Sequence, residues 1–160
     1  MKIKLILSAL FALMLVGKVL AQSDEQKVKD VLASYKNALE KLDVKETDAL
    51  FVANSQIIES GKVEGTYQDY LAHHIGPELG DFTSFKFENY KAEVTLAGDY
   101  AFAVETYNYA IVLKKDNSEI KRKGVASSFL KKENGTWKIV HMHNSSRKPW
   151  PIVKLLTDQT

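Results

Sequence analysis

The dipeptide Asn134-Gly135 lies between two runs of alternating apolar residues, and it constrains the fold more than any other feature of the chain. Asparagine and glycine tolerate the two positive φ angles that a two-residue β-hairpin turn requires. We therefore predict two antiparallel strands within the segment 124–147. Alternate residues of the second strand should share one face of the sheet, because side chains along a strand point to opposite sides in turn. These residues are Trp137, Ile139, His141, His143 and Ser145.

Long strands are predicted throughout the second half of the chain. From Phe85 onward, apolar and polar residues alternate, and short turns rich in Gly, Asn and Asp separate the alternating runs. The predicted strands span residues 85–96, 100–114, 119–131 and 136–146. Strands joined by such short turns pair with their neighbours in antiparallel fashion.

Helical patterns occupy the first half of the chain. Ser23 followed by Gln26 is a capping-box signature, and apolar residues then recur at helical spacing, so we predict a helix over residues 24–42. Asp43 is expected to cap a short second helix that ends near Phe51.

A third helix is predicted after a short strand at residues 55–60. Thr66 and Asp69 have the spacing of a capping box, and Gly76-Pro77 should end this helix because proline lacks the backbone donor. Three N-terminal helices followed by a meander of antiparallel strands define an α+β domain.

Residues 1–21 have the pattern of a signal peptide: a basic start, an apolar run and small residues before Gln22. We expect cleavage at this point, a domain over residues 22–148 and a tail over residues 149–160. The protein is then exported, either to the periplasm or out of the cell. The apolar run is too short for a comfortable membrane span, so the cleaved chain is expected to leave the membrane.

Charge and cysteine content narrow the functional classes. Lys2, Lys4 and Lys18 lie in the leader, so the cleaved chain has 19 basic and 20 acidic residues. This balance, with no basic stripe interleaved with aromatics, argues against nucleic-acid binding. The chain contains no cysteine and therefore no disulfides.

Both faces of the strand at 100–114 carry apolar residues, which favours a second sheet packed on the outside and hence a homodimer.

The order of these elements resembles the nuclear transport factor 2-like superfamily, which includes ketosteroid-isomerase-like and SnoaL-like proteins. The resemblance covers residues 24–147, and its most specific parts are the turn from Gly98 to Ala101 and the final strand at 135–143. The final strand is also similar to that of the association domain of calcium/calmodulin-dependent protein kinases. The resemblance implies a strongly curved antiparallel sheet that forms a cone, an internal pocket between helices and sheet, and dimerisation through the outer sheet face.

We expect this pocket to bind a small, partly apolar molecule, without established catalysis and without a cofactor. The expected ligand-binding residues are polar or aromatic: Glu59, Tyr67, His74, Glu105, Tyr107, Tyr109, His141, His143 and Arg147. Glu105 stands among apolar neighbours and needs a partner if it is buried. Arg147 is either that partner, an anchor for an anionic ligand or an exposed charge.

Three alternatives remain open from the sequence. A lyase, isomerase or hydrolase would use a histidine–carboxylate pair, with His141, His143 and Glu105 as the catalytic candidates. We predict no bound metal, because the spacing matches no ligand motif; the candidate ligands would otherwise be His74, Glu78, His141 and His143. A structural module would have its cone filled by Phe82, Phe85 and Phe87.

Overall fold

The computed structural model describes residues 22–149. The predicted signal peptide, and the predicted tail from residue 150 onward, lie outside these residues. The fold is α+β, with helices on one face of a curved six-stranded sheet. The helical elements are α1 (Asp24–Glu40), a 3₁₀ turn (Thr47–Leu50) and α2 (residues 67–80). The strands are β1 (Phe51–Glu59), β2 (Lys62–Gly65), β3 (Phe82–Ala97), β4 (Tyr100–Leu113), β5 (Glu119–Glu133) and β6 (Thr136–Arg147).

The first helix confirms half of its predicted capping box, because the Gln26 side chain bonds to Asp30 rather than back to Ser23. The Ser23 side chain accepts a hydrogen bond from the backbone N–H of Gln26 at 3.2 Å, which satisfies one of the donors that a helix start leaves free. The buried stripe of α1 packs on the concave face of the sheet and consists of Val28, Leu32, Tyr35 and Leu39. Leu42 has a φ of 55°, a left-handed conformation, and lies just beyond the end of the helix.

The prediction of three N-terminal helices is wrong, since the structure has two. The segment after Asp43 forms only the four-residue 3₁₀ turn, because β1 begins immediately afterwards at Phe51. No helix in the described part of the chain is both long and apolar enough to cross a membrane.

The predicted helix break at Gly76-Pro77 is also wrong. Helix α2 continues through Pro77 because residues Leu71–Ile75 form a π-helical turn, in which the Gly76 N–H bonds to the Leu71 carbonyl. A side chain at Gly76 would clash with that carbonyl. Pro77 then stands at the start of a new α-helical turn, where its missing N–H costs nothing.

The strand order in the sheet is β2-β1-β6-β5-β4-β3. All four predicted long strands are confirmed. The turn at Asn134-Gly135 has φ angles of 50° and 82°, which are the two positive values expected for this hairpin. The sheet is not purely antiparallel, because β1 pairs with β6 in parallel.

A bulge in β6 decides which side chains face the cone. Leu130 pairs with Ile139, whereas the preceding residue, Phe129, pairs with His141, so Val140 is an extra residue on β6. An extra residue reverses the alternation of every side chain that follows it. The predicted single face is therefore wrong: Trp137 and Ile139 are buried in the core, but His141 and His143 lie on the outer face.

The core lies between the helices and the concave sheet face. The rings of Phe51 and Tyr67 stack with centroids 3.7 Å apart, and Tyr35 meets both rings edge-on. Tyr67 is 1 % exposed, and its hydroxyl lies 2.6 Å from Thr47 Oγ1. This side chain therefore belongs to the core rather than to the ligand site that the sequence suggested.

Candidate functional site

A cavity opens between α1, α2 and the concave face of the sheet. Its volume is about 770 Å³ when the open solvent at its mouth is counted. Eight aromatic side chains line its wall: Tyr35, Tyr70, Phe82, Phe85, Phe87, Tyr90, Tyr107 and Tyr109. The phenylalanines proposed for a filled cone thus line the cavity and leave space beside them.

One row of residues crosses the floor of the cavity on four adjacent strands. Glu105 on β4 pairs with Ala126 on β5, which pairs with Asn144 on β6, which pairs with Glu59 on β1. All four residues line the cavity. The register therefore places two carboxyl groups at opposite ends of a row with a small side chain and an amide between them.

Glu105 is a buried acid in the wall, and it is only 7 % exposed. The hydroxyl of Tyr90 donates a hydrogen bond to Glu105 Oε2 at 2.6 Å. Burial raises the pKa of the Glu105 carboxyl above its usual value, and the hydrogen bond from Tyr90 opposes this rise only in part. A carboxyl of this kind can hold a proton closer to neutral pH than an exposed glutamate does.

Tyr107 follows Glu105 by two positions on β4 and therefore lies on the same face of the sheet, where its ring covers a residue without a side chain. Gly124 on β5 pairs with Tyr107, and a Cβ on Gly124 would clash with the tyrosine ring. Burial, together with the negative charge of Glu105, raises the pKa of Tyr107. The phenol thus stays protonated, as a hydrogen-bond donor inside the cavity.

The other end of the floor is more polar and more open. The hydroxyl of Tyr70 donates to Glu59 Oε2 at 2.5 Å, and the Glu59 side chain is 30 % exposed. His74 stands behind this pair, with its Nε2 at 3.2 Å from Glu78 Oε1 and 3.9 Å from Glu59 Oε2. Its Nδ1 lies 3.1 Å from Glu64 Oε1, although this approach lacks the angles of a hydrogen bond.

The pKa of the Glu78 carboxyl is raised in this group of acidic side chains. Burial is the largest cause that raises the pKa of its carboxyl, and the charges of Glu59 and Glu64 raise it further. The charge of His74 works in the opposite direction. The rim of the cavity is therefore a region in which carboxylates repel one another.

The structure brings together only part of the set that the sequence suggested. Glu59, Glu105, Tyr107 and Tyr109 line the cavity. His74 adjoins it through Glu59 and Glu78.

Besides Tyr67, which lies in the core, three of the suggested residues lie away from the cavity. His141 and His143 are on the outer sheet face because of the bulge at Val140, and His141 Nδ1 lies 3.2 Å from Gln56 Oε1. Arg147 is an exposed residue at the end of β6 and is not the partner of Glu105.

Sequence reasoning missed Tyr90, the partner of Glu105. A register irregularity in β3 between Glu88 and Lys91 places Tyr90 in the cavity wall, and Asn89 has a φ of 53° at this point. Asparagine tolerates positive φ better than most residues, so Asn89-Tyr90 was the available signal for a bulge. Tyr35 and Tyr70 stand at helical spacing with apolar residues in the sequence, a pattern that does not separate a core residue from a cavity residue.

The candidate metal ligands do not come together. His74 and Glu78 lie at the cavity rim, whereas His141 and His143 lie on the opposite face of the sheet. Among residues 22–149, no group of three or more His, Asp or Glu side chains has the arrangement of a metal site.

These features define an α+β cone with an internal cavity. A family model described as a SnoaL-like domain matches residues 28–149. The chain therefore belongs to the SnoaL-like domain family, and the predicted resemblance to SnoaL-like proteins is confirmed.

Solved structures agree at the level of the fold. A nuclear transport factor 2-like superfamily protein from Salmonella enterica serovar Typhimurium is 19% identical, with a TM-score of 0.70 over 81% of this chain and 94% of that one. A ketosteroid isomerase-like protein from Erwinia carotovora atroseptica is 16% identical, with a TM-score of 0.68 over 81% of this chain and 100% of that one. A comparison with curated protein sequences gives no match.

Proposed function

We propose that this protein binds a small, partly apolar molecule in the cavity of the cone. The wall combines aromatic rings with a few polar groups that point inward, which is the usual composition of a small-molecule site. The rings would hold the apolar part of the ligand, and the carboxyl and phenol groups would orient it.

The observation that carries this proposal is the burial of Glu105 with Tyr90 at the cavity wall. A buried carboxyl group costs stability, and a leucine at this position would pack against the same rings without that cost. A costly polar pair that faces an open space is a feature of sites selected for binding or catalysis.

Thermal unfolding with a panel of small apolar acids, amines, alcohols and sterol-like compounds tests the proposal. A ligand that binds only the folded state raises the unfolding midpoint. The increase should fall in Glu105→Gln and stay unchanged in His143→Ala, which alters only the outer face. An increase that is lost equally in both variants would place the ligand outside the cavity, and no increase with any compound would count against binding.

Acid–base catalysis is the second candidate, in which this site acts as a lyase, isomerase or hydrolase. Its support is the raised pKa of Glu105 beside the phenol groups of Tyr90 and Tyr107. A carboxyl whose pKa is raised can exchange protons with a bound substrate at a higher pH than an exposed glutamate can. The histidine–carboxylate pair available to this chemistry is His74 with Glu78, since the β6 histidines lie outside.

Proton exchange into a bound ligand tests the catalytic candidate. A ligand with an acidic C–H group is incubated with the protein in D₂O and followed by mass spectrometry. Catalysis by Glu105 predicts deuterium incorporation that Glu105→Gln abolishes and Glu93→Gln, on the outer face, retains. Incorporation at the same rate in Glu105→Gln would exclude Glu105 as the base.

We also propose that the protein forms a homodimer through the outer sheet face. The support is a group of exposed apolar residues on that face, where Tyr100 and Phe129 stack at 5.5 Å and Phe102 is 49 % exposed. Sedimentation velocity should show a dimer that Phe102→Glu converts to a monomer. Val63→Glu, on the edge strand β2, is the control. A wild-type monomer at the same concentration would contradict this proposal.

Export, either to the periplasm or out of the cell, is proposed on the pattern of residues 1–21 alone. Cell fractionation with mass measurement of the processed N-terminus tests it. Processing before Gln22 supports export, and an intact N-terminus in the cytosolic fraction would contradict it.

A further inference from the structure

The rim of the cavity carries an excess of negative charge. The carboxylates of Glu59, Glu64 and Glu78 surround His74 at 3.1–3.9 Å. Within residues 22–149, the cations in ion-pairing distance of this group are His74 itself and Lys62, whose Nζ lies 2.8 Å from Glu64 Oε2. Even with His74 protonated, three carboxylates face two positive charges.

A ligand in the cavity meets this charge directly. Glu59 and Glu78 both line the cavity, whereas Glu64 lies behind them with a side chain that is only 5 % exposed. Repulsion from Glu59 and Glu64 adds to the burial that raises the pKa of Glu78. A positive charge placed beside Glu59 and Glu78 would relieve this repulsion and favour the ionised form of Glu78.

The aromatic wall already accommodates a cation at its other end. Lys36 Nζ lies 5.7 Å from the ring centroids of both Phe87 and Tyr90, within the range of cation–π attraction. Lys36 also pairs with Glu40 at 2.6 Å, so its charge is balanced within the protein. At the acidic end, the ring of Tyr70 is a further aromatic surface next to Glu59.

From this geometry we infer that the ligand is a small organic cation, an amine with an apolar body. Its ammonium group lies between Glu59 and Glu78, and its apolar part lies against the rings of Phe85 and Phe87. The inference rests on the proposed binding function, because it names the chemical class of ligand for the same cavity. A carboxylate ligand would instead be repelled by the acidic rim. Lys36 would not offset this repulsion, because its charge is already paired with Glu40.

Three probes with one naphthalene body separate the charge of the ligand from its apolar part. 1-Naphthylmethylamine, 1-naphthylmethanol and 1-naphthylacetate carry an ammonium, a hydroxyl and a carboxylate group respectively. Isothermal titration calorimetry of each probe at pH 7 measures its dissociation constant. The amine should bind at least about tenfold tighter than the alcohol, the factor expected from carboxylate and cation–π contacts, and the acid should bind most weakly.

Matched variants locate the effect. Glu59→Gln and Glu78→Gln should each weaken amine binding several-fold while they leave alcohol binding unchanged. Glu93→Gln removes an equal charge from an exposed position outside the cavity and should leave the affinity for the amine unchanged.

The outcomes distinguish this inference from the proposed function. An alcohol or acid that binds as tightly as the amine would overturn the inference and leave the cavity as a binding site. An equal loss of amine binding in Glu93→Gln would also overturn it, because the effect would then be general electrostatics. Binding of none of the three probes would count against both the inference and the proposed function.

Discussion

The cavity contains two glutamate–tyrosine pairs that differ in their surroundings. Glu105 and Tyr90 lie on the buried part of the floor among aromatic rings, where burial raises the pKa of the carboxyl. Glu59 and Tyr70 lie at the rim, beside His74 and other carboxylates. The same two residue types therefore form a buried pair with a raised carboxyl pKa at one end of the cavity. At the other end of the cavity they form a more exposed pair within a cluster of acidic residues.

The largest expected effect on stability comes from filling the space over Gly124 that the Tyr107 ring occupies. Gly124→Ala places a methyl group against the Tyr107 ring, and such overpacking should lower the free energy of unfolding by about 1–3 kcal/mol. Urea denaturation measures this change. Gly80→Ala is the control, because no atom lies within 4 Å of the added methyl there and its effect should be much smaller. Equal losses in both variants would show that Gly124 has no special role.

The two tyrosines should differ in what their hydroxyl groups contribute. Tyr90→Phe leaves the buried Glu105 without its donor and should cost about 1–3 kcal/mol, the range for a buried polar group that loses its partner. Tyr70→Phe should cost less, because water can reach the partly exposed Glu59. Urea denaturation of the two variants measures both losses in the free energy of unfolding. A larger loss in Tyr70→Phe than in Tyr90→Phe would contradict this difference between the two pairs.

The pH dependence of stability should reveal Glu105. A carboxyl whose pKa is higher in the folded state binds its proton more tightly there than in the unfolded chain. Its contribution is therefore full at low pH and is lost as the pH rises through the pKa of the folded state. Glu105→Gln lacks this group, so the stability of the wild type relative to the variant should fall as the pH rises above 4.5, the usual pKa of a glutamate.

This pH series is a set of urea titrations on the two proteins. All other titrating groups are shared, so they cancel in the difference. A difference that stays constant as the pH rises above 4.5 would contradict the raised pKa of Glu105.

The smallest effect is expected from the β6 histidines. His143→Ala changes an exposed residue on the outer face and should leave cavity binding and the stability of the isolated subunit nearly unchanged, within about 0.5 kcal/mol. A binding defect in this variant would show that the outer face takes part in ligand recognition.

The sequence predicts the long strands and their hairpin well because these depend on local signals. Asn134-Gly135 has the φ angles its residue types favour, and the alternation along β4 correctly places Glu105 with its buried neighbours. The helix through Pro77 was missed because the π-helical turn before Gly76 lets a new helical turn begin at the proline. Helix propensities of single residues do not reveal such a turn.

The site was predicted only in part because faces depend on register. The bulge in β6 shifts the apolar pattern by one residue, from Ile139 to Met142, but unbroken period-two reasoning carried the β6 histidines into the cone. The irregularity near Tyr90 in β3 had the opposite consequence, since it placed an unpredicted phenol beside Glu105. Both errors arise from pairing between strands, which a single sequence specifies weakly.

A carboxyl titration of the folded protein by ¹³C NMR tests the central claim most directly. With glutamate side chains labelled and Glu105→Gln used for assignment, we predict that the Glu105 carboxyl titrates above its reference pKa of 4.5 and that its resonance shifts when a ligand binds. A Glu105 carboxyl that titrates at or below 4.5, and that does not respond to any compound that stabilises the protein, would contradict this account of the cavity.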